Sequence, residues 1–354
     1  MNHKNKKRRR ISAVPTSQAT AIFEDLNRFP DDSNYLYHFH VDFVELLCLT
    51  DADGRMSKLD VLDEQGQTME SEEPPIYDQS DGQLFDPNAE PVDHGRQAQN
   101  LVKKEAEVDN WYVHLNYRKQ AFREYYPFTL SSDGNTLVLD KYLTLKQKLY
   151  IFLLLCSSLS YIRSRGGYRL NLPLAFERLS AVALKSYLPT NAQIHIFGTS
   201  EAGLFSGSFW NKLQALAQNL NATLLASQED IHGNGDGGLD LVAWIPFEDT
   251  NGGMMVVFAQ CACTSEWIIK QDQASYESRW KQRIQLRQPS STITFMPFCF
   301  RKMDGTWLNN DHIRSIVIDR ERFINLFGSK LNSFKSDASY QIVEQALSYK
   351  REVF

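Results

Sequence analysis

Two neighbouring stretches in the second half of the chain, 239–244 and 255–261, are apolar except for one polar residue each. Short apolar runs of this length next to glycine-rich turns predict two β-strands. The segment between them contains proline, asparagine and a pair of glycines, which favours a hairpin loop longer than the tightest type. We therefore expect an antiparallel pair of strands here.

Each predicted strand carries one polar residue among apolar neighbours. Because side chains alternate between the two faces of a sheet, Asp240 shares a face with Val242, and Gln260 shares one with Phe258. A buried sheet has little reason to keep a carboxylate and an amide unless something charged lies between them. Mg²⁺ prefers oxygen ligands and usually binds through one or two carboxylates, waters and substrate phosphate. The pattern indicates a divalent-metal site.

A third polar candidate lies upstream, in 174–184, where the apolar spacing predicts a helix with Glu177 near its start. A helix with Glu177, a strand with Asp240 and a strand ending in Gln260 and Cys261 together resemble the core of the restriction-endonuclease-like, or PD-(D/E)xK, nuclease superfamily, nearest to its Mrr-like branch. The resemblance covers roughly residues 170 to 320. It implies an α/β fold with a mixed central sheet flanked by helices.

The resemblance further implies metal-dependent hydrolysis of DNA phosphodiester bonds, with Asp240, Gln260 and Glu177 around Mg²⁺ or Mn²⁺. The family's lysine position, however, holds Ala262. That lysine normally orients the attacking water and stabilises charge developing on the phosphate. Lys270, on a helix predicted to follow the strand, is the candidate replacement. Without a replacement, the chain would be a catalytically inactive nuclease fold that serves as a DNA-binding or assembly subunit.

Each site residue also has a simpler interpretation. Asp236 and Asp240 lie in a glycine-rich run, where aspartate commonly forms turns. Gln260 alone is typical of a hydrogen-bonded core amide, and Glu177 alone of a solvated residue stabilised by the helix dipole. The combination in this order is more specific than any one member.

A basic segment follows the predicted site. It contains Arg279, Lys281, Arg283 and Arg287, interleaved with Tyr276 and Trp280. If this segment is a helix, positions 276, 280, 283 and 287 share one face, which would suit backbone phosphates or unstacked bases. The alternative is a solvated helix whose aromatic side chains pack inward.

The chain divides by composition into three parts. We predict a basic disordered arm over 1–17, a mostly helical domain over 18–165 with an acidic linker at about 60–100, and a nuclease domain over 166–354. Within these parts, helices are predicted around 19–26, 35–49, 141–165 and 321–326, and strands at 111–117, 292–300 and 315–320. The basic arm fits either a phosphate-gripping tail or a solubilising terminus.

Composition narrows the class of protein. The 354 residues carry a net charge of −5, and the odd set of five cysteines lacks CxxC spacing, which is typical of a reducing compartment. The longest apolar run, about 149–162, is too short for a comfortable membrane span, and the basic start has no apolar stretch behind it. We expect a cytoplasmic protein without a membrane segment.

The resemblance also implies a biological context. Mrr-like nucleases with extra N-terminal domains commonly act in prokaryotic defence against foreign DNA. This chain has no ATPase motif, so a separate ATPase or sensor subunit is expected as a partner. A third hypothesis, beside an active and an inactive nuclease, is an α/β enzyme that acts on a small molecule. It lacks support because the sequence shows no nucleotide-binding loop and no nucleophile motif.

Overall fold

A computed structural model describes residues 22–30, 37–70, 94–164, 166–198, 203–229 and 237–351. The helices are α1 (Tyr37–Thr50), α2 (Lys58–Glu70), α3 (His94–Phe122), α4 (Leu145–Ser157), α5 (Tyr168–Tyr187), α6 (Phe209–Asn219), α7 (Trp267–Gln273), α8 (Arg320–Phe327), α9 (Leu331–Ser336) and α10 (Ser339–Ser348). The strands are β1 (Arg55–Ser57), β2 (Phe128–Leu130), β3 (Thr136–Leu139), β4 (Gln193–Ile196), β5 (Thr223–Leu224), β6 (Leu241–Ile245), β7 (Met255–Cys261), β8 (Ile284–Gln285), β9 (Ser291–Phe295) and β10 (Ile316–Ile318).

A five-stranded mixed sheet organises the second half of the chain, in the order β10-β9-β7-β6-β4. Strands β4, β6 and β7 are antiparallel neighbours, whereas β7, β9 and β10 run parallel. The predicted hairpin is confirmed as β6 and β7. The protein is therefore α/β with a mixed central sheet and helices, as the sequence predicts.

The sheet is buried on both faces. Leu241 and Ala243 point into the main core, which also contains Phe176 and Leu179 of α5. The alternate side chains, such as Val242 and Phe258, pack in a second cluster with apolar residues of α6. Alternation along β6 thus separates two apolar layers, because successive residues point to opposite faces.

The first half of the described chain is mostly helical, but it differs from the sequence prediction in three places. Residues 111–117, predicted as a strand, belong to α3, and residues 22–26, at the end of a predicted helix, contain only a bridge from Phe23 to Ile162. The parts of the predicted linker that the structure describes, 60–70 and 94–100, are helical. Segment 71–93 and the basic arm lie outside the described residues.

The long apolar run forms α4, a buried helix as predicted. Thr144 caps its start in a capping box with Gln147, in which each side chain accepts from the other's backbone N–H. The main core draws on both halves of the chain, from Ile22 to Ala346. The division at residue 166 stays a prediction.

A buried ionic network joins the two halves. Asp42 and Glu45 of α1 face Arg118 of α3, whose Nη1 lies 2.5 Å from Asp42 Oδ1 and 2.8 Å from Glu45 Oε2. Arg320, the first residue of α8, donates to Asp42 Oδ2 at 2.8 Å. Tyr150 of α4 donates to Glu45 at 2.9 Å. Two acids and two arginines leave the network formally neutral.

We expect replacement of Arg320 by leucine to lower the free energy of unfolding by about 3–5 kcal/mol, because Asp42 would keep only one of its two arginines in a buried site. Urea unfolding of both proteins measures the difference. Glu277→Gln is the control, since it breaks the exposed pair with Lys281 and should leave the midpoint unchanged. Equal midpoints for Arg320→Leu and wild type would contradict the expectation.

Two buried histidines make stability depend on pH. Burial lowers the pKa of His38 and of His114 to about 3, from an ordinary value of 6.5. The unfolded chain takes up these protons below pH 6.5 while the folded chain does not. Stability is therefore full above pH 6.5 and falls as the pH drops toward 3.

We expect each of these histidines to remove roughly 1.4 kcal/mol of stability per pH unit below about pH 6. Urea unfolding at pH 7.5, 6.0 and 5.0 measures the slope. His38→Phe keeps a ring against Phe298. It should make that slope shallower by the contribution of one histidine, roughly 1.4 kcal/mol per pH unit. An unchanged slope in the variant would show that His38 does not titrate in this way.

Candidate functional site

The carboxylate and the amide lie opposite each other on the central sheet. Leu241 pairs with Ala259 across the β6–β7 ladder, so one further step places Asp240 opposite Gln260. The Asp240 N–H donates to the Ala259 carbonyl at 3.0 Å, which continues the ladder. The strands therefore bring the two predicted residues onto one patch.

The position of Asp240 is fixed by the backbone around it. Its Oδ2 accepts from the Cys261 N–H at 2.6 Å. Its carbonyl accepts from the N–H groups of Phe197 and Gly198, at 2.7 and 3.2 Å, just beyond β4. With 4% of its surface exposed, this aspartate is a rigid part of the sheet. The turn-forming interpretation does not describe it, and Asp236 lies outside the described residues.

Gln260, the other polar residue of the patch, has fewer hydrogen bonds than Asp240 among those that the structure describes. It is 6% exposed, and its Oε1 has no hydrogen-bond partner within the described part of the chain. A buried acceptor without a donor costs about 1–3 kcal/mol. Within the described residues, the Gln260 oxygen therefore lacks the donor that a hydrogen-bonded core amide would have.

Glu177 approaches the same strand from α5. This helix begins at Tyr168, so Glu177 is in its middle and not near its start, contrary to the sequence prediction. Burial raises the pKa of the Cys261 thiol, and the charges of Asp240 and Glu177 raise it further. Ala259 and Cys261 belong to the core that contains α5, so Gln260, which lies between them on β7, points to the opposite face of the sheet.

Lys270 lies on α7 after the strand, as predicted. Its side chain makes no hydrogen bond or ion pair with the described residues, and it is half-buried. The helix passes beside the loop leading to Asp240: a Cβ added at Gly238 would lie 2.7 Å from the Gln273 Cβ. Ala262, in contrast, is fully buried in an apolar cluster with Trp267 and Phe298. The position at which the resemblance would place a lysine is thus part of the core.

Lys212 is a residue that the sequence reasoning missed. It lies on α6, is 4% exposed, and donates from Nζ to the carbonyls of Phe197 (3.2 Å) and Gly198. The N–H groups of those two residues hold the Asp240 carbonyl. Lys212 has no carboxylate partner among the described residues. It therefore connects a buried positive charge to the backbone that positions Asp240.

A sequence signal for Lys212 exists. The buried positions of α6 are 209, 212, 213, 216 and 217, the spacing of one helical face. Four of them are apolar, and the fifth is this lysine. A charged residue within an apolar stripe is costly to bury, so it indicates a specific role.

We expect Lys212→Met, which keeps the length of the side chain and removes its charge, to release the backbone at 197–198. Amide hydrogen exchange of Phe197 and Gly198 should become at least tenfold faster, because opening that turn would no longer break the bonds to the ammonium. Lys185→Met, at an exposed position in the last turn of α5, is the matched control. Unchanged protection at 197–198 in a folded Lys212→Met protein would contradict the assignment.

The basic segment does not form the predicted helix. It contains one π-helical turn, Tyr276–Trp280, followed by β8. Tyr276 and Trp280 are buried in the second apolar cluster, so the aromatic side chains pack inward. They offer no stacking surface for bases.

The four cations of this segment divide into two groups. Arg279 and Arg287 are exposed. Lys281 is paired with Glu277 at 3.0 Å, and Arg283 stacks 5.0 Å from the Trp280 ring. A role of these residues in nucleic-acid binding stays a prediction.

Within the described ranges, no group of three or more His, Cys, Asp or Glu side chains could hold a metal ion. A magnesium site needs fewer such groups, since one or two carboxylates are usually completed by waters and phosphate. Asp240 and the oxygen of Gln260, which has no hydrogen-bond partner among the described residues, fit that requirement in number and chemistry. They do not fit a zinc site, which requires nitrogen or sulfur ligands in most proteins.

Comparison with known proteins does not place the chain in a family. No family model matches it, and neither a curated protein nor a solved structure does. Among the described helices, none combines the length and apolar composition needed to cross a bilayer.

Proposed function

We propose that this protein is a magnesium-dependent nuclease that hydrolyses DNA phosphodiester bonds, built on a restriction-endonuclease-like core of the Mrr-like type. The observation that carries the proposal is the placement of the Asp240 carboxylate opposite the unpartnered Gln260 oxygen on adjacent strands. The order of α5 with Glu177, β6 after Asp240, and β7 with Gln260 supports it.

Asp240, Gln260 and Glu177 are the residues that would hold Mg²⁺ or Mn²⁺. When bound, such an ion supplies charge stabilisation for the phosphate and a more acidic water. Asp240 is suited to this because its second oxygen is already fixed by the Cys261 N–H. An amide is a weaker ligand than a carboxylate, which favours one tightly held ion over two.

Lys270 is the residue proposed to orient the attacking water and offset charge on the scissile phosphate. Its half-buried side chain has no partner in the described chain, and its helix passes the loop that leads to Asp240. An ammonium in a partly desolvated site acts more strongly on developing charge than one in bulk water.

We further propose that the protein is the effector subunit of a cytoplasmic prokaryotic defence system, with a separate ATPase or sensor partner. This step rests on the family resemblance. The helical first half is the candidate docking surface, and Leu101 and Val102 of α3 expose 54% and 64% of their surface there.

The second candidate is a nuclease fold without catalysis, acting as a DNA-binding or assembly subunit. The observation that favours it is Ala262, which is buried among apolar side chains where the family has its lysine. Metal binding discriminates between the two functions, because an inactive subunit does not need a cation at Asp240.

We expect the wild-type protein to cleave supercoiled, linear or single-stranded DNA with Mg²⁺ or Mn²⁺, and Asp240→Asn and Lys270→Met each to lose at least about 100-fold in rate. Gel assays of initial rates measure this. Isothermal titration with Mn²⁺ should show binding by wild type and Lys270→Met, and none by Asp240→Asn.

Lys302→Met is the matched control for Lys270→Met, because it removes an exposed lysine elsewhere. Mn²⁺ binding that depends on Asp240 without cleavage would indicate a missing activating partner. A wild-type protein that neither binds Mn²⁺ nor cleaves would favour the inactive fold.

A further inference from the structure

A polar cavity, here called the cavity beside β7, lies directly beyond the end of the strand that carries Gln260. It has a volume of about 390 Å³ and is walled by Cys263, Thr264 and Ser265, which follow β7, together with the end of α4 and the segment 25–30. This volume is within the range of small-molecule sites, roughly 300–1,000 Å³. Only two residues separate Gln260 from the cavity wall.

The charges of the cavity favour an anion. Arg28 and Arg169 line it, and so do Asp25 and Asp42. Asp42 is already neutralised, because Arg118 and Arg320 both bind its carboxylate. The remaining balance is two arginines against one aspartate, and the Arg28 guanidinium has no hydrogen-bond or ion-pair partner in the described chain.

Hydroxyl groups and rings complete the lining. Ser158 is 3% exposed, and its hydroxyl makes no hydrogen bond with described residues. Ser160 and Thr264 add further hydroxyls, which commonly bind phosphate oxygens. Phe29 and Phe39 present flat apolar surfaces. A nucleotide matches this lining, because its phosphate suits the arginines and hydroxyls and its flat base suits the two phenylalanine rings.

Another cavity in the described part of the chain has different chemistry. It lies between α3 and the 302–308 loop, has a volume of about 620 Å³, and is lined by Trp111 and Met303 with Glu107, Asp304 and one lysine. Two carboxylates against one ammonium would repel a phosphate. The two cavities thus differ in the charge of the ligand that they favour.

We propose that the cavity beside β7 binds one nucleotide of the substrate strand, next to the phosphate held at Asp240 and Gln260. This subsite rests on the proposed nuclease function for its ligand. Arg28 and Arg169 contact the flanking phosphate, the hydroxyls complete its hydrogen bonds, and the base lies against Phe29 and Phe39. The subsite explains why a cationic, hydroxyl-rich cavity adjoins the strand that carries the metal-binding residues.

Fluorescence anisotropy with a labelled 12-nucleotide single-stranded DNA, in EDTA so that cleavage cannot occur, tests the subsite. Arg28→Gln and Arg169→Gln should each weaken binding about tenfold and reduce the slope of log K against log salt concentration by about 0.7, the value for one phosphate contact on a single strand. Arg55→Gln, an exposed arginine on β1 outside the cavity, should change neither quantity.

A second arm uses unlabelled dTMP as competitor. Weak competition, at least 100-fold poorer than by the unlabelled oligonucleotide, is the expected result for a subsite of a longer strand. Competition by dTMP as strong as by the oligonucleotide would overturn the assignment to the substrate strand. Unchanged affinity and salt slope in both arginine variants, or no DNA binding by wild type, would overturn the subsite itself.

The two proposals fail in different ways. If the wild-type protein does not cleave DNA but binds it in a way that depends on Arg28 and Arg169, the nuclease function is contradicted and the nucleotide subsite is kept. Cleavage that depends on Asp240 but has the same KM in wild type, Arg28→Gln and Arg169→Gln would leave the nuclease and remove the subsite.

Discussion

The buried network of Asp42, Glu45, Arg118 and Arg320 is the interaction on which the rest of the arrangement depends. Charged groups removed from water are tolerated only when paired and hydrogen-bonded, and a partial network is worse than an apolar core. Burial alone would raise the pKa of Asp42, but Arg320 and Arg118 outweigh it and lower that pKa to about 2. The four side chains therefore have to assemble together, from helices that are far apart in sequence.

This requirement fixes the central sheet relative to the helices of the first half. Arg320 begins α8, directly after β10, and its Nε also donates to the Pro297 carbonyl beyond β9 at 2.6 Å. The same side chain reaches Asp42 and Tyr150. The edge of the sheet is thus attached to α1 and α4 through one guanidinium. The cavity beside β7 lies against this attachment, since Asp42 and Ser157 form part of its wall.

Features of the fold that depend only on residues close together in sequence could be predicted from local patterns. Two short apolar runs around a glycine-containing loop predicted the hairpin, and the alternation of side chains along a strand predicted the faces of Asp240 and Gln260. The strand prediction at 111–117 was wrong because four of its seven residues are aromatic or β-branched, which suits a strand locally. Over a longer window, Val108, Trp111, Leu115 and Phe122 are buried at helical spacing in α3.

Other features depend on tertiary contacts that no short window contains. The bond between Arg320 and Asp42 joins residues 278 positions apart. The partners of Lys212 are carbonyls on a different element, so only its place in an apolar stripe marks it. Trp280 packs inward because α6 and the sheet offer it an apolar layer, which the sequence of its own segment does not show.

The contrast between the two buried polar regions bears on function. In the network, every acid meets an arginine or a hydroxyl, although Arg118 Nε has no hydrogen-bond partner among the described residues. At the sheet, again within the described residues, Gln260 has a buried oxygen without a donor, Lys212 has a buried charge without a carboxylate, and the Lys270 side chain has no partner. Buried polar groups commonly lack hydrogen-bond or ion-pair partners at functional sites, whereas elsewhere they have them. Gln260 lies opposite Asp240, and Lys212 holds the turn whose N–H groups bind the Asp240 carbonyl, so these two groups adjoin the residue proposed to bind the cation.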